Sequence, residues 1–149
     1  MLEFSYSNST TSRTIKSDFF ERLILKSLKH LKLDKQKIIV DMAIVGEGEM
    51  KKLNKKYRGK DKPTDVLSFS FAENSLKLSQ KSPFLFLGNI VICLPEAGKD
   101  AKKEKISINQ KLGGLTIHGF LHLLGYDHTG SEKEKQKMEK LEKTLWQKA

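Results

Sequence analysis

Cysteine is nearly absent. Cys93 is the only one in 149 residues, so no intrachain disulfide can form. It stands in an apolar run, Ile90-Val91-Ile92-Cys93-Leu94, which favours a buried structural thiol and a reducing, cytoplasmic setting. Long apolar runs are missing too. The first ten residues mix Glu3, Ser5, Ser7, Asn8 and Ser9 with a few apolar side chains, and no stretch reaches the length of a signal core or a membrane span. No membrane partner is expected, and neither an internal repeat nor a linker interrupts the chain. Carboxylates are in deficit: 18 Asp and Glu face 28 Lys and Arg, a formal net charge of +10. That balance suits a polyanion such as RNA or DNA, although many small proteins are basic for solubility alone.

With 38% hydrophobic residues, the length supports one packed domain over residues 1–149. Leu2 to Tyr6 alternates apolar and polar residues as a strand does, and Asn8 to Thr14 reads as loop. After Ser17, a candidate N-cap, Phe20, Leu23, Ile24, Leu28 and Leu31 recur at helical spacing; His30 near the end of that helix reads as an ordinary helix-end residue. Ile38 to Val45, a β-branched run broken by Asp41, predicts a central strand buried on both faces for most of its length. Met50, Leu53 and Tyr57 mark a short amphipathic helix ended by Gly59. Thr64 to Phe71 predicts a half-polar strand near an edge or cleft. Glu73 to Pro83 reads as a connection to a further strand, Gly88 to Leu94. Pro95 then opens a helix running to about Lys105, and Ser107 to Lys111 links to the next one. Ser131 and Glu134 form a capping-box pattern ahead of a last helix carrying Met138, Leu141, Leu145 and Trp146. Four strands and about five helices in mixed order predict an α+β domain with the helices packed on one mixed sheet.

Three of the four histidines fall within Thr116 to His128. On a helix His118 and His122 lie one turn apart on the same face, at a separation that suits two ligands of one zinc ion. Ile117, Phe120, Leu121, Leu123 and Leu124 make this helix apolar and buried, a rigid support for the pair. Gly125 can adopt a left-handed conformation, stop the helix and let the chain bring back His128 as a third ligand. A single histidine on an apolar helix is more often a hydrogen-bonded core residue. Two at i and i+4, a helix stop and a third just beyond point instead to one metal ion, Zn2+, with a fourth position left for water. The metzincin proteases share the spacing but carry a glutamate general base where this chain has Gly119, which argues against peptide hydrolysis.

The run His118-Gly-Phe-Leu-His122-Leu-Leu-Gly125-Tyr126-Asp127-His128 closely resembles that of the YbeY family, bacterial rRNA maturation factors described as metal-dependent endoribonucleases. Leu53-Asn54-Lys-Lys-Tyr57-Arg58, Thr64-Asp65-Val66-Leu67-Ser68-Phe69 and Leu87-Gly88-Asn89-Ile90-Val91-Ile92-Cys93 extend the resemblance over most of the chain. It implies that His118, His122 and His128 bind zinc, that Arg58 is a functional cleft residue, and that the substrate is rRNA, notably the 3′ region of the small-subunit precursor. Ribosomal particles are then the expected partners, and DNA is not. Two departures stand out: Asn89 replaces a common Asp, and Thr129-Gly130 follow the last histidine where acidic residues are frequent.

Within that expectation Arg58 contacts a phosphate of the scissile region, since its planar guanidinium donates two hydrogen bonds to phosphate oxygens. No general base is evident. Asp127 is a candidate to orient a ligand imidazole or to cap the local backbone, and Asp65 either serves the cleft or starts its strand. The lysines at 51, 52, 55, 56, 60 and 62 either track a backbone or form a solvated face. A ribosome-associated factor using zinc only for structure is the alternative; a small metalloprotease is the third reading.

Overall fold

The alternation at the N-terminus forms β1 (Leu2–Asn8), with Leu2, Phe4 and Tyr6 turned to the core and the intervening residues to solvent. The structure, a computed structural model, describes residues 1–70, 84–126 and 130–148. Along the chain β1 is followed by α1 (Ser17–His30), β2 (Lys37–Val45), α2 (Glu47–Arg58) and β3 (Val66–Ser70). Then come β4 (Phe84–Cys93), α3 (Leu94–Glu104), α4 (Ile108–Leu123) and α5 (Glu132–Lys148). The strands form one mixed sheet in the order β1-β2-β4-β3. β1 and β4 run parallel to β2, and β3 pairs antiparallel to β4 at the edge. This is the α+β domain expected, with four strands and five helices among the described residues.

Two layers of apolar packing flank the sheet. Even-numbered residues of β2 (Ile38, Val40, Met42 and Ile44), with Leu87, Ile90 and Ile92 of β4, meet α1, α4 and α5 in the main core. On the opposite face Val45, Val91, Cys93 and Leu67 close over Met50 of α2. The expectation that β2 is buried on both faces is therefore corrected. Its burial alternates, and Asp41 sits on the second face beyond the reach of α2, lining an open depression with Ser5, Ser7 and Asn89. Asn89, the departure noted above, thus lies across the sheet from α4. Cys93 is fully buried, as its apolar run predicts.

Several boundaries move for local reasons. Ser17 is the first residue of α1; Lys16 occupies the cap position and makes no side-chain cap. Ser107, read as part of a linker, caps α4 in a complete capping box with Gln110. Ser131 accepts from the Glu134 amide at the start of α5, and Pro95 lies in the first turn of α3. On α2 the inner face carries Met50 and the polar Asn54, while Tyr57 is exposed and meets the edge of Phe69 at 5.0 Å between ring centres. The connection inferred for Glu73 to Pro83, and Phe71 at the end of the third predicted strand, lie outside the described residues.

Candidate metal centre and its flanking clefts

Helix α4 is buried nearly all round: Leu112, Leu115, Ile117, Phe120, Leu121 and Leu123 all pack into the domain, and the helix contacts β3, β4, α1, α3 and α5. Such enclosure fixes side-chain rotamers, which is what a ligand pair requires. Gly119 is part of it. A Cβ there would stand 3.0 Å from Ile90 and 3.6 Å from Val66, so position 119 faces the sheet and has no room for a glutamate. Gly113 similarly makes space for the ring of Trp146 on α5.

His118 and His122 project from this helix with their Nε2 atoms 3.0 Å apart and their rings 4.5 Å apart at 78°. Two zinc-bound nitrogens at bond lengths of about 2.05 Å and tetrahedral angles stand about 3.3 Å apart, so the pair is close to what one ion needs. The other ring nitrogen of His118 has its own neighbour: Nδ1 lies 3.5 Å from Glu142 Oε1 on α5, with each side chain about one-quarter exposed. A carboxylate facing Nδ1 favours the proton on that nitrogen and leaves the Nε2 lone pair for a cation. The two described donors therefore have the chemistry and spacing that zinc takes. Gly125, with φ 99°, ends the helix in the left-handed conformation its residue type predicts, and the Tyr126 amide closes back onto Leu121. Asp127 and His128 lie outside the described residues.

Two clefts meet beside His118. One, about 350 Å³, is lined by Asp65, Val66, Lys111, His118 and Glu142, with Lys111 paired to Glu104 at 2.8 Å. The second, about 390 Å³, shares Asp65 and Val66 and continues to Arg58, Lys60 and Lys62. The loop between α2 and β3 is held by Asn54, whose side-chain amide donates to the Lys62 carbonyl at 2.8 Å. Arg58 is exposed at the helix end and open to a ligand. Asp65 has a local duty as well, since its Oδ1 accepts from the Val66 amide at 2.7 Å. Its carbonyl accepts from the Cys93 amide at 2.8 Å, which fixes it at the junction of the two clefts. The structure thus brings His118 against His122 and, across one cleft, beside Asp65, with Arg58 in the adjoining cleft.

Glu142 is the site residue that sequence reasoning missed. It sits 24 positions beyond His118 in a helix whose charged residues look like a solvated face; only the antiparallel packing of α5 on α4 reveals it.

The family model for endoribonuclease YbeY matches residues 5–149. The chain is 39% identical over 135 residues to an endoribonuclease YbeY of Persephonella marina, covering 91% of this chain and 84% of that one. It is 43% identical over 132 residues to an endoribonuclease YbeY of Mycoplasmopsis synoviae, covering 85% and 83%. The fold is similar to the solution structure of TM1509 from Thermotoga maritima, with a TM-score of 0.63 and 28% identity over 97% of this chain and 90% of that one. From the match along nearly its whole length and from the histidine helix that underlies it, the chain belongs to the endoribonuclease YbeY family.

Proposed function

We propose that this protein is a zinc-dependent endoribonuclease that cuts single-stranded segments of rRNA. It would act in the cytoplasm on the 3′ region of the small-subunit precursor, in ribosome biogenesis or quality control. The observation that carries this reading is the convergence of His118 and His122 Nε2 atoms on a buried helix, in a chain of this family. His128, beyond the Gly125 turn, is the third ligand in this proposal. When bound, zinc supplies a double positive charge that polarises a phosphoryl oxygen and lowers the pKa of water to about 7.

The protein's own residues do the positioning. Arg58 grips a phosphate oxygen from the adjoining cleft, and Glu142 holds the His118 ring so that Nε2 faces the ion. Asp65 stands between them at the junction of the clefts, and Asp127 is the further candidate to orient a ligand. The deciding experiment is cleavage of a structured rRNA fragment by wild-type protein and His122→Ala, each with measured zinc content, with and without chelator. Activity that tracks zinc and disappears in the variant supports the nuclease. Equal residual cleavage in both, with rRNA binding retained, assigns the chain to a non-catalytic ribosome-associated role instead.

A further inference from the structure

The cleft leading to Arg58 is not rich in net positive charge. Arg58, Lys60 and Lys62 line it, and so do Asp65, Glu96 and Asp100, three cations against three carboxylates. The cleft beside His118 holds Asp65, Glu104 and Glu142 against Lys111. A bound zinc ion offsets that excess of negative charge and leaves little to attract a polyanion. Yet the affinity of a protein for RNA comes largely from cations that replace condensed counterions along the phosphates. The net charge of +10 must act somewhere else on the surface.

A third depression, about 440 Å³, meets that need. His30 and Lys32 at the end of α1, Lys137 and Lys140 on α5, and Tyr126 line it, and among the described residues no carboxylate does. Lys51, Lys99 and Lys111 elsewhere are tied to acidic side chains, but among the described residues Lys32, Lys137 and Lys140 have no ion-pair partner. Helix α5 is the wall between this depression and the histidine site: Leu141 faces the one and its neighbour Glu142 the other. Tyr126 joins them along the chain, two residues before His128. Its ring belongs to the type on which unpaired bases stack.

We propose that this depression between α1 and α5 binds the backbone of single-stranded RNA flanking the cleavage point, on the side of the histidine helix away from Arg58. The inference rests on the endoribonuclease reading for its choice of polyanion. The strand is anchored by Lys32, Lys137 and Lys140, while the neutral Arg58 cleft and the metal centre select the scissile phosphate. Anchoring and chemistry are thus carried by different surfaces.

The test uses zinc-loaded full-length protein and a 2′-O-methyl RNA oligonucleotide that cannot be cut through its own hydroxyl, followed by fluorescence anisotropy over a range of salt. Lys137→Glu/Lys140→Glu is compared with Lys102→Glu/Lys103→Glu, which makes the same change in net charge at exposed positions of α3. The expected result is a loss of at least tenfold in affinity for the α5 variant, with the log–log salt slope lowered by about 1.4, because each lost phosphate contact on a single strand removes about 0.7. The α3 variant should bind within about twofold of wild type by the same reasoning. Equal losses in the two variants, or wild-type binding by the α5 variant, overturn the proposal. So does an α5 variant that loses anionic phospholipid vesicles while keeping RNA, which assigns the depression to a membrane surface. Failure of the wild type to cut any RNA with zinc bound would sink the nuclease reading but not this comparison, which reads binding alone.

Discussion

His118 and Glu142 face each other across the packed helices α4 and α5, Nδ1 to Oε1 at 3.5 Å, while His118 Nε2 meets its counterpart on His122 at 3.0 Å. One ring nitrogen thereby faces a carboxylate and the other, in the proposed metal centre, faces the ion. Glu142→Leu should weaken zinc binding about 10- to 100-fold, the usual cost of losing a group that orients a ligand. Glu142→Gln, which still offers an oxygen to Nδ1–H, should recover most of that loss. Competition with a chromogenic chelator reads both, and equal affinities in Glu142→Leu and wild type would remove Glu142 from the site.

Arg58 lies at the exposed end of α2, so its removal should leave the fold intact. Arg58→Ala should lower kcat/KM for RNA cleavage by about 100-fold, in the range seen when a donor to a developing anion is removed. Arg58→Lys should restore only part of it, since an ammonium lacks the planar two-pronged fork. Steady-state kinetics on one oligonucleotide decides this; parental rates in Arg58→Ala would dismiss the residue.

Gly88 has φ +139° beside the irregular register of β2 and β4, and a Cβ there would overlap the carbonyl oxygen of Phe69 on β3. Gly88→Ala should therefore cost about 2–4 kcal/mol, combining backbone strain with overpacking. Urea unfolding measures it directly. A midpoint within error of wild type would mean that β3 shifts away freely.

Burial pushes the Cys93 thiol above its ordinary value of 9.0; a backbone hydrogen bond at Glu96 and the Lys99 charge oppose the shift, and the charges of Glu96 and Glu47 add to it. Below pH 9 both the folded and the unfolded chain keep the proton, so the full contribution to stability is present. As pH rises past 9 the unfolded chain ionises first, and stability falls until the folded thiol ionises as well. Cys93→Ala should show a shallower alkaline decline than wild type in urea midpoints taken between pH 8 and pH 10.5. Parallel declines would exclude Cys93 as a source.

Much of this was legible in the sequence because the signals were local. Leu2 to Tyr6, the α1 stripe and the pairing of His118 with His122 depend only on periods of two and of about four residues, and each stands where those periods place it. Gly125 is left-handed for the reason its residue type suggests. Relations across elements were not legible. That α2 covers only one end of its sheet face, leaving Asp41 and Asn89 open, follows from the crossover of the chain rather than from β2's own residues. Glu142 reads as a surface charge until α5 is laid antiparallel on α4. Asp65 looked like a strand start or a cleft residue; it stands one residue before β3, where its side chain holds the Val66 amide while it lines two clefts.

Because α4 is enclosed by two strands and three helices, the backbone that carries its histidines is held in place, although His118 itself borders an open cleft. A shift of the helix would require the domain to give up its main core. On the nuclease reading proposed above, the adjustment that brings phosphate and metal together falls to the nucleic acid. A loose strand can thread and bend at little expense, whereas a paired helix must first come apart, so the stiffness of one buried helix is itself a filter on the shape of RNA.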